Sequence, residues 1–108
     1  MTNTTEKIQS EIRADKIVIF MKGTPDFPQC GFSAKTVEIF KSLGFPFHTV
    51  DILAHPDIRA LLPQISNWPT FPQVFVKGKL IGGCDIVSEM HSEGQLKPLL
   101  ESAFKDSK

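Results

Sequence analysis

Apolar positions along the chain follow two spacings. Ile17-Val18-Ile19-Phe20-Met21 is an unbroken run of strand length, which suits a strand covered on both faces. From Ala34 to Leu43 the spacing turns helical: Ala34, Val37, Phe40 and Leu43, joined by Ile39, mark one face, and Gly44 stands where a C′ residue belongs. Upstream, Thr4 or Thr5 is expected to cap a first helix with Ile8 and Ile12 on one face and Glu6 and Glu11 outside it. Phe47-His48-Thr49-Val50-Asp51 reads as a second strand after the Gly44-Phe45-Pro46 turn, and the strand–helix–strand crossover predicts a parallel, right-handed unit. His55-Pro56-Asp57 opens a third helix with proline near its first position, followed by Ile58, Leu61, Leu62 and Ile65 at helical spacing. Pro63, inside that pattern, is expected to bend or end the helix early.

The second half changes character. Asn67 to Pro72 is an irregular turn with two X-Pro bonds, and Gln73–Val76 and Lys79–Ile81 flank Lys77-Gly78 as a tight antiparallel hairpin. Gly82-Gly83-Cys84-Asp85 leads into a short helix holding Ile86, Val87 and Met90. After Gly94, a last helix aligns Leu96, Leu99, Leu100, Ala103 and Phe104. A parallel βαβ unit followed by a hairpin and terminal helices predicts a thioredoxin-like α/β fold: a four-stranded mixed sheet flanked by helices on both faces.

Composition narrows the function. The 108 residues suit one compact domain over residues 1–108, and the formal net charge is zero. No basic stripe points to nucleic acid, and no charged tail points to charge-driven partners. The longest apolar run is too short to span a membrane. Met1 to Glu6 lacks the features of a signal or transit peptide. Two cysteines without an export signal lead us to expect a reducing, cytoplasmic setting and no structural disulfide.

Chemistry concentrates between Lys22 and Ser33. Cys30 lies on the strand-to-helix loop, at or just before the first helical turn, where unpaired N–H groups and the helix dipole favour a thiolate. The plainer alternative is a small buried hydrophobe. Pro25, Pro28 and Gly31 give the segment turn chemistry in place of packing periodicity, which favours a reactive cysteine.

Taken together, Lys22, the Cys30-Gly31-Phe32-Ser33 motif, Trp68-Pro69-Thr70-Phe71-Pro72 and Gly82-Gly83-Cys84-Asp85 closely resemble a monothiol glutaredoxin of the CGFS type, of the bacterial single-domain kind. The resemblance runs from about Glu6 to about Phe104 in order and spacing. It implies a [2Fe–2S] cluster held between two subunits, with one cysteine from each and two glutathione thiolates, so that the cluster-bound form is a homodimer. Cys30 matches the family's ligand and reactive cysteine. Lys22, Arg59, Phe71 (through its backbone), Cys84 and Asp85 match the glutathione site, and the peptide bond before Pro72 is cis in the family. The implied role is iron–sulfur cluster transfer or assembly and iron homeostasis, with a BolA-like protein and iron–sulfur client proteins as partners. The alternative is a glutathione-dependent monothiol oxidoreductase that removes glutathione from protein thiols, with weak activity at most.

The residues can also be argued without the family. Ser33 stands where C-x-x-C would carry a resolving thiol, so no dithiol cycle closes through this loop. Cys30 alone can attack a glutathione mixed disulfide or ligate a soft metal. Two cysteines cannot fill a four-thiolate shell, and His48, His55 and His91 read as surface or capping residues. Lys22 and Arg59 suit a carboxylate, though each taken singly is an ordinary solvated charge. Gly82-Gly83 permits close backbone approach, and the helix opening at Cys84-Asp85 offers N–H groups to the γ-glutamyl carboxylate, with Asp85 facing the amine. Asp85 as a plain N-cap, and Trp68 and Phe71 as core-edge aromatics, are the competing readings.

Overall fold

The structure, a computed structural model, describes residues 3–105; Met1 and Thr2 of the N-terminal stretch considered above lie outside it. The elements run α1 (Thr4–Ile12), β1 (Ile17–Met21), α2 (Gly31–Leu43), β2 (His48–Asp51), α3 (Pro56–Ser66), β3 (Gln73–Val76), β4 (Lys79–Gly82), α4 (Cys84–Ser92) and α5 (Leu96–Lys105). The strands form one mixed sheet in the order β2-β1-β3-β4. β1 pairs in parallel with β2 and antiparallel with β3, and β3 pairs antiparallel with β4. The architecture is thioredoxin-like, as the pattern predicts.

The unbroken apolar run of β1 has a direct cause. Alternate side chains of a strand point to opposite faces, so a strand covered on both sides needs apolar residues throughout. Ile17, Ile19 and Met21 join Val74 and Val76 beneath α2, α4 and α5, in a cluster with Phe40, Val87, Leu96 and Leu100. Val18 and Phe20 face the other way and pack with Phe75 against Ile8 of α1 and Ile58 and Leu62 of α3. All five residues of β1 are fully buried, so the end of this strand is a rigid platform for the loop that follows.

Local details depart from expectation at several points. Asn3, and neither threonine, caps α1: its Oδ1 accepts from the Glu6 N–H at 2.8 Å, so the helix starts one residue earlier than the threonines suggest. β2 begins at His48, one residue after Phe47, and β4 extends through Gly82. Pro63 neither ends nor shortens α3, which continues to Ser66 and closes on Asn67 in the left-handed region. An interior proline removes its N–H bond to the preceding turn and crowds the carbonyl four residues back. Here Leu62, fully buried, anchors that turn, and the Trp68 N–H bonds back to the Pro63 carbonyl at 3.2 Å. In α4, Gly83 takes the N-cap and Asp85 lies in the first turn, so the plain N-cap reading of Asp85 does not apply. Val87 is buried on this helix, whereas Ile86 is exposed.

Candidate functional site

Cys30 is the N-cap residue of α2, with extended backbone at φ −148° and no side-chain cap. The loop that delivers it, between β1 and α2, is held by its own backbone. Gln29 N–H donates to the Lys22 carbonyl at 2.9 Å, and Gly23 bridges Pro28. Gly23 sits at φ +94°, and a Cβ there would stand 2.5 Å from the Phe27 carbonyl, so the turn requires glycine. Asp51, at the end of β2, ties the loop to the sheet: its Oδ1 accepts from the N–H groups of Gly23 and Leu53, each at 2.9 Å.

Ser33 does more than a helix-terminal hydroxyl usually does. It is fully buried, and its Oγ accepts from the Lys22 N–H at 3.1 Å. The Cys30 thiol is held below its ordinary value, chiefly by the Ser33 backbone N–H. Burial works against this, while the Phe32 N–H, the Lys22 charge and the Ser33 hydroxyl add to it. The thiolate is therefore stabilised mainly by main-chain N–H groups at the first turn of α2, as expected for a helix N-terminus. Cys30 is half-exposed, so the sulfur that these groups stabilise is also reachable.

Beside it opens a groove of about 580 Å³, lined by all six residues singled out from the sequence: Lys22, Cys30, Arg59, Phe71, Cys84 and Asp85. They come from the β1–α2 loop, α3, the turn before β3 and the start of α4. Among the described residues, Lys22, Arg59 and Asp85 form no ion pair, so two cations and a carboxylate stand ready for a charged ligand. Cys84 is buried, with Sγ 3.8 Å from Ser88 Oγ. The start of α4 lies tight against the turn before β3: a Cβ at Gly83 would fall 3.0 Å from the Pro72 carbonyl and 3.2 Å from Trp68 Nε1. The Phe71–Pro72 peptide bond is cis, as the resemblance implies. The Phe71 ring packs at the edge of the second core cluster, and no backbone hydrogen bond within the described residues engages its N–H or C=O.

The histidines stand away from the groove. His48 lies 3.2 Å from Glu11, His55 occupies the N-cap of α3, and His91 lies in the last turn of α4. No three His, Cys, Asp or Glu side chains among the described residues gather closely enough to hold a metal ion.

Sequence reasoning missed Asp51 and the hub position of Ser33. A carboxylate ending a strand carries no signal that it grips a loop 28 residues earlier, because the contact exists only in three dimensions. It also gave no notice of the buried Gln73, a lone amide opening an otherwise apolar strand, whose Nε2 donates to the Trp68 and Thr70 carbonyls of the groove-lining turn.

Comparison with known proteins bears on the family and the fold. The glutaredoxin family model matches residues 17–81. Glutaredoxin 4 of Pasteurella multocida is 56% identical over 97 residues, covering 90% of this chain and 89% of that protein. A probable monothiol glutaredoxin, GrlA of Legionella pneumophila, is 58% identical over 86 residues, covering 80% of this chain and 97% of that protein. Among solved structures, a buckwheat glutaredoxin–glutathione complex is similar with a TM-score of 0.81 at 33% identity, covering 93% of this chain and 89% of that chain.

Proposed function

The chain belongs to the glutaredoxin family, on its monothiol side, and from that premise we propose that it is a single-domain iron–sulfur carrier. In this reading a [2Fe–2S] cluster is cargo, held between two copies by the two Cys30 thiolates and two glutathione thiolates. The observation that carries it is the half-exposed, stabilised Cys30 thiolate at the mouth of a groove with unpaired charges. The donor set fits. A [2Fe–2S] centre takes four ligands, usually thiolates. One chain offers a single reachable thiolate, because Cys84 is buried and no other ligand cluster stands among the described residues. The family resemblance supplies the rest of the shell: Cys30 of a second chain and two glutathione thiolates.

Glutathione matches the groove by charge. Lys22 and Arg59 take the glycyl carboxylate as charge-assisted donors. The Phe71 main chain adds strand-like hydrogen bonds to the tripeptide. The first N–H groups of α4 hold the γ-glutamyl carboxylate, and Asp85 pairs with its amine. Cytoplasmic iron–sulfur client proteins and a BolA-like protein are the partners this reading proposes. Anaerobic reconstitution with iron, sulfide and glutathione tests it: visible charge-transfer bands on a dimeric species support the carrier. A colourless monomer that turns over a glutathione mixed disulfide quickly overturns it.

The lowered thiol and its exposure also support a second reading, removal of glutathione from protein thiols. The Cys30 thiolate would attack the glutathionyl sulfur of a mixed disulfide, releasing the protein thiolate and taking glutathione onto Cys30. A second glutathione thiolate would then attack that sulfur, freeing Cys30 and leaving as part of oxidised glutathione. With Ser33 in place of a resolving thiol, we expect this turnover to be slow.

A further inference from the structure

Gln73 is fully buried at the head of a strand whose other residues are Val74, Phe75 and Val76. It stands opposite Phe20 of β1, in the middle of the sheet. A branched apolar side chain would fill such a site with no desolvation cost, so a carboxamide there needs a reason. Its Nε2 donates to the Trp68 carbonyl at 2.9 Å and to the Thr70 carbonyl at 3.2 Å. These two bonds fix the amide orientation, because the reverse orientation would set Oε1 against two carbonyl oxygens. In that orientation Oε1 is left buried with no partner among the described residues.

The turn it grips is short of donors. Pro69 and Pro72 have no N–H, and the segment between Asn67 and Gln73 belongs to no helix or strand. Its carbonyls find no regular ladder, and the Gln73 side chain supplies the missing N–H groups from inside the core. Thr70 and Trp68, the two gripped residues, bracket the stretch that leads into Phe71. They thereby set the course of the main chain into Phe71, a groove-lining residue whose N–H and C=O make no backbone hydrogen bond among the described residues.

We propose that Gln73 is a positioning residue of the glutathione subsite: its carboxamide holds the Trp68–Pro72 turn in the shape that presents the Phe71 main chain to the tripeptide. The inference rests on the glutathione reading above. It adds a residue that touches no ligand and acts only through the backbone it holds.

The test uses the full chain on a Cys30→Ser background, which removes mixed-disulfide formation and the titration of that thiol. Reduced glutathione is titrated while amide resonances are followed by NMR, at about pH 5 and about pH 8. Gln73→Met keeps a similar volume and removes both donors; it should bind glutathione roughly tenfold more weakly at both pH values. Gln73→Glu gives a pH signature. Burial and the two facing carbonyls raise its carboxyl pKa. When ionised it repels both carbonyls and binding falls; when protonated its O–H donates to one of them and much of the affinity returns. β1 opposite it has no titratable side chain, nor has the Trp68–Pro72 turn. Lys22, Arg59, Asp85 and Cys84 line the groove in variant and reference alike, so the reference titration accounts for them.

Affinities within about twofold of the reference for both variants at both pH values, whatever their melting temperatures, would reduce Gln73 to a structural role. Should Gln73→Met fail to fold, the pH response of Gln73→Glu decides alone. No saturable shift in the reference itself overturns the glutathione reading, and this inference with it.

Discussion

Replacing Ser33 with alanine isolates what the buried hydroxyl contributes. The change deletes the acceptor that the Lys22 N–H uses at 3.1 Å and one of the smaller supports of the Cys30 thiolate. An unsatisfied buried donor costs about 1–3 kcal/mol. Lys22 is half-buried, so water can partly replace the bond and the cost falls near the low end of that range. Alanine's better helix propensity returns up to about 0.5 kcal/mol. The net loss is about 1 kcal/mol, or a fall of about 4–8 °C in melting temperature for a domain of this size. The thiol pKa should rise yet stay below its ordinary value of 9.0, because the Ser33 backbone N–H, the largest cause, survives the substitution, as do the Phe32 N–H and the Lys22 charge. The sign of the pH dependence follows. A depressed thiol pKa stabilises the fold fully above the unfolded value, and that stabilisation is lost as pH falls through the lowered folded value. The stability difference between wild type and Ser33→Ala should therefore widen toward alkaline pH. Below the folded pKa only the Lys22 contribution should remain. Thermal melts across pH under reductant, with ultraviolet thiolate absorbance followed on the same samples, measure both effects. A variant with unchanged melting temperature and an unchanged thiolate titration would refute the hub role of Ser33.

Three further outcomes follow from the groove. Lys22→Ala and Arg59→Ala should each weaken glutathione-dependent cluster retention by up to about 1.5–3 kcal/mol, with Arg59 at or below the low end because it is exposed and screened. Melting temperature should hardly move, and retention unchanged across a glutathione titration would remove these residues from the site. Cys30→Ser should abolish the cluster, since an alkoxide is too basic to replace a thiolate, while Cys84→Ser, at a buried position opening α4, should keep one. Iron and sulfide per chain with size-exclusion elution check this, and a full cluster in Cys30→Ser would sink the bridged dimer. Gly83→Ala should both destabilise the chain and impair glutathione binding, because the new Cβ meets the Pro72 carbonyl at 3.0 Å, and backbone cannot step aside as a flexible side chain can. A wild-type melting curve and glutathione affinity for that variant would contradict the tight packing of α4 against the turn before β3.

Much of this protein is legible in one dimension because its strongest signals are local. An apolar run without alternation says that both faces of β1 are covered, and the two core clusters that share its odd and even residues are the physical expression of that run. Helical spacing, Gly44 at the end of α2 and Pro56 at the start of α3 depend on backbone geometry within a few residues, so pattern alone locates them. The candidate site residues were legible in two ways: Cys30 by its place on a strand-to-helix loop, and Lys22, Arg59, Phe71, Cys84 and Asp85 by the family motif they match, since Lys22 and Arg59 taken singly read as ordinary solvated charges.

Boundaries and supports were decided by the tertiary structure. Pro63 was expected to bend or end α3 early, yet the helix runs on to Ser66, with Leu62 fully buried in the turn before the proline. Asn3 took the cap of α1 because its side chain, and neither threonine's, meets the Glu6 N–H. Asp51, Ser33 and Gln73 hold the site through bonds to backbone atoms of other segments, and a backbone atom has no identity in a sequence. The residues proposed to meet a ligand were picked out by type and motif, whereas those that hold the backbone in place become visible only when the chain is folded. The physical reason is that a hydrogen bond to main chain selects a position in space, which the sequence order of its two partners does not encode.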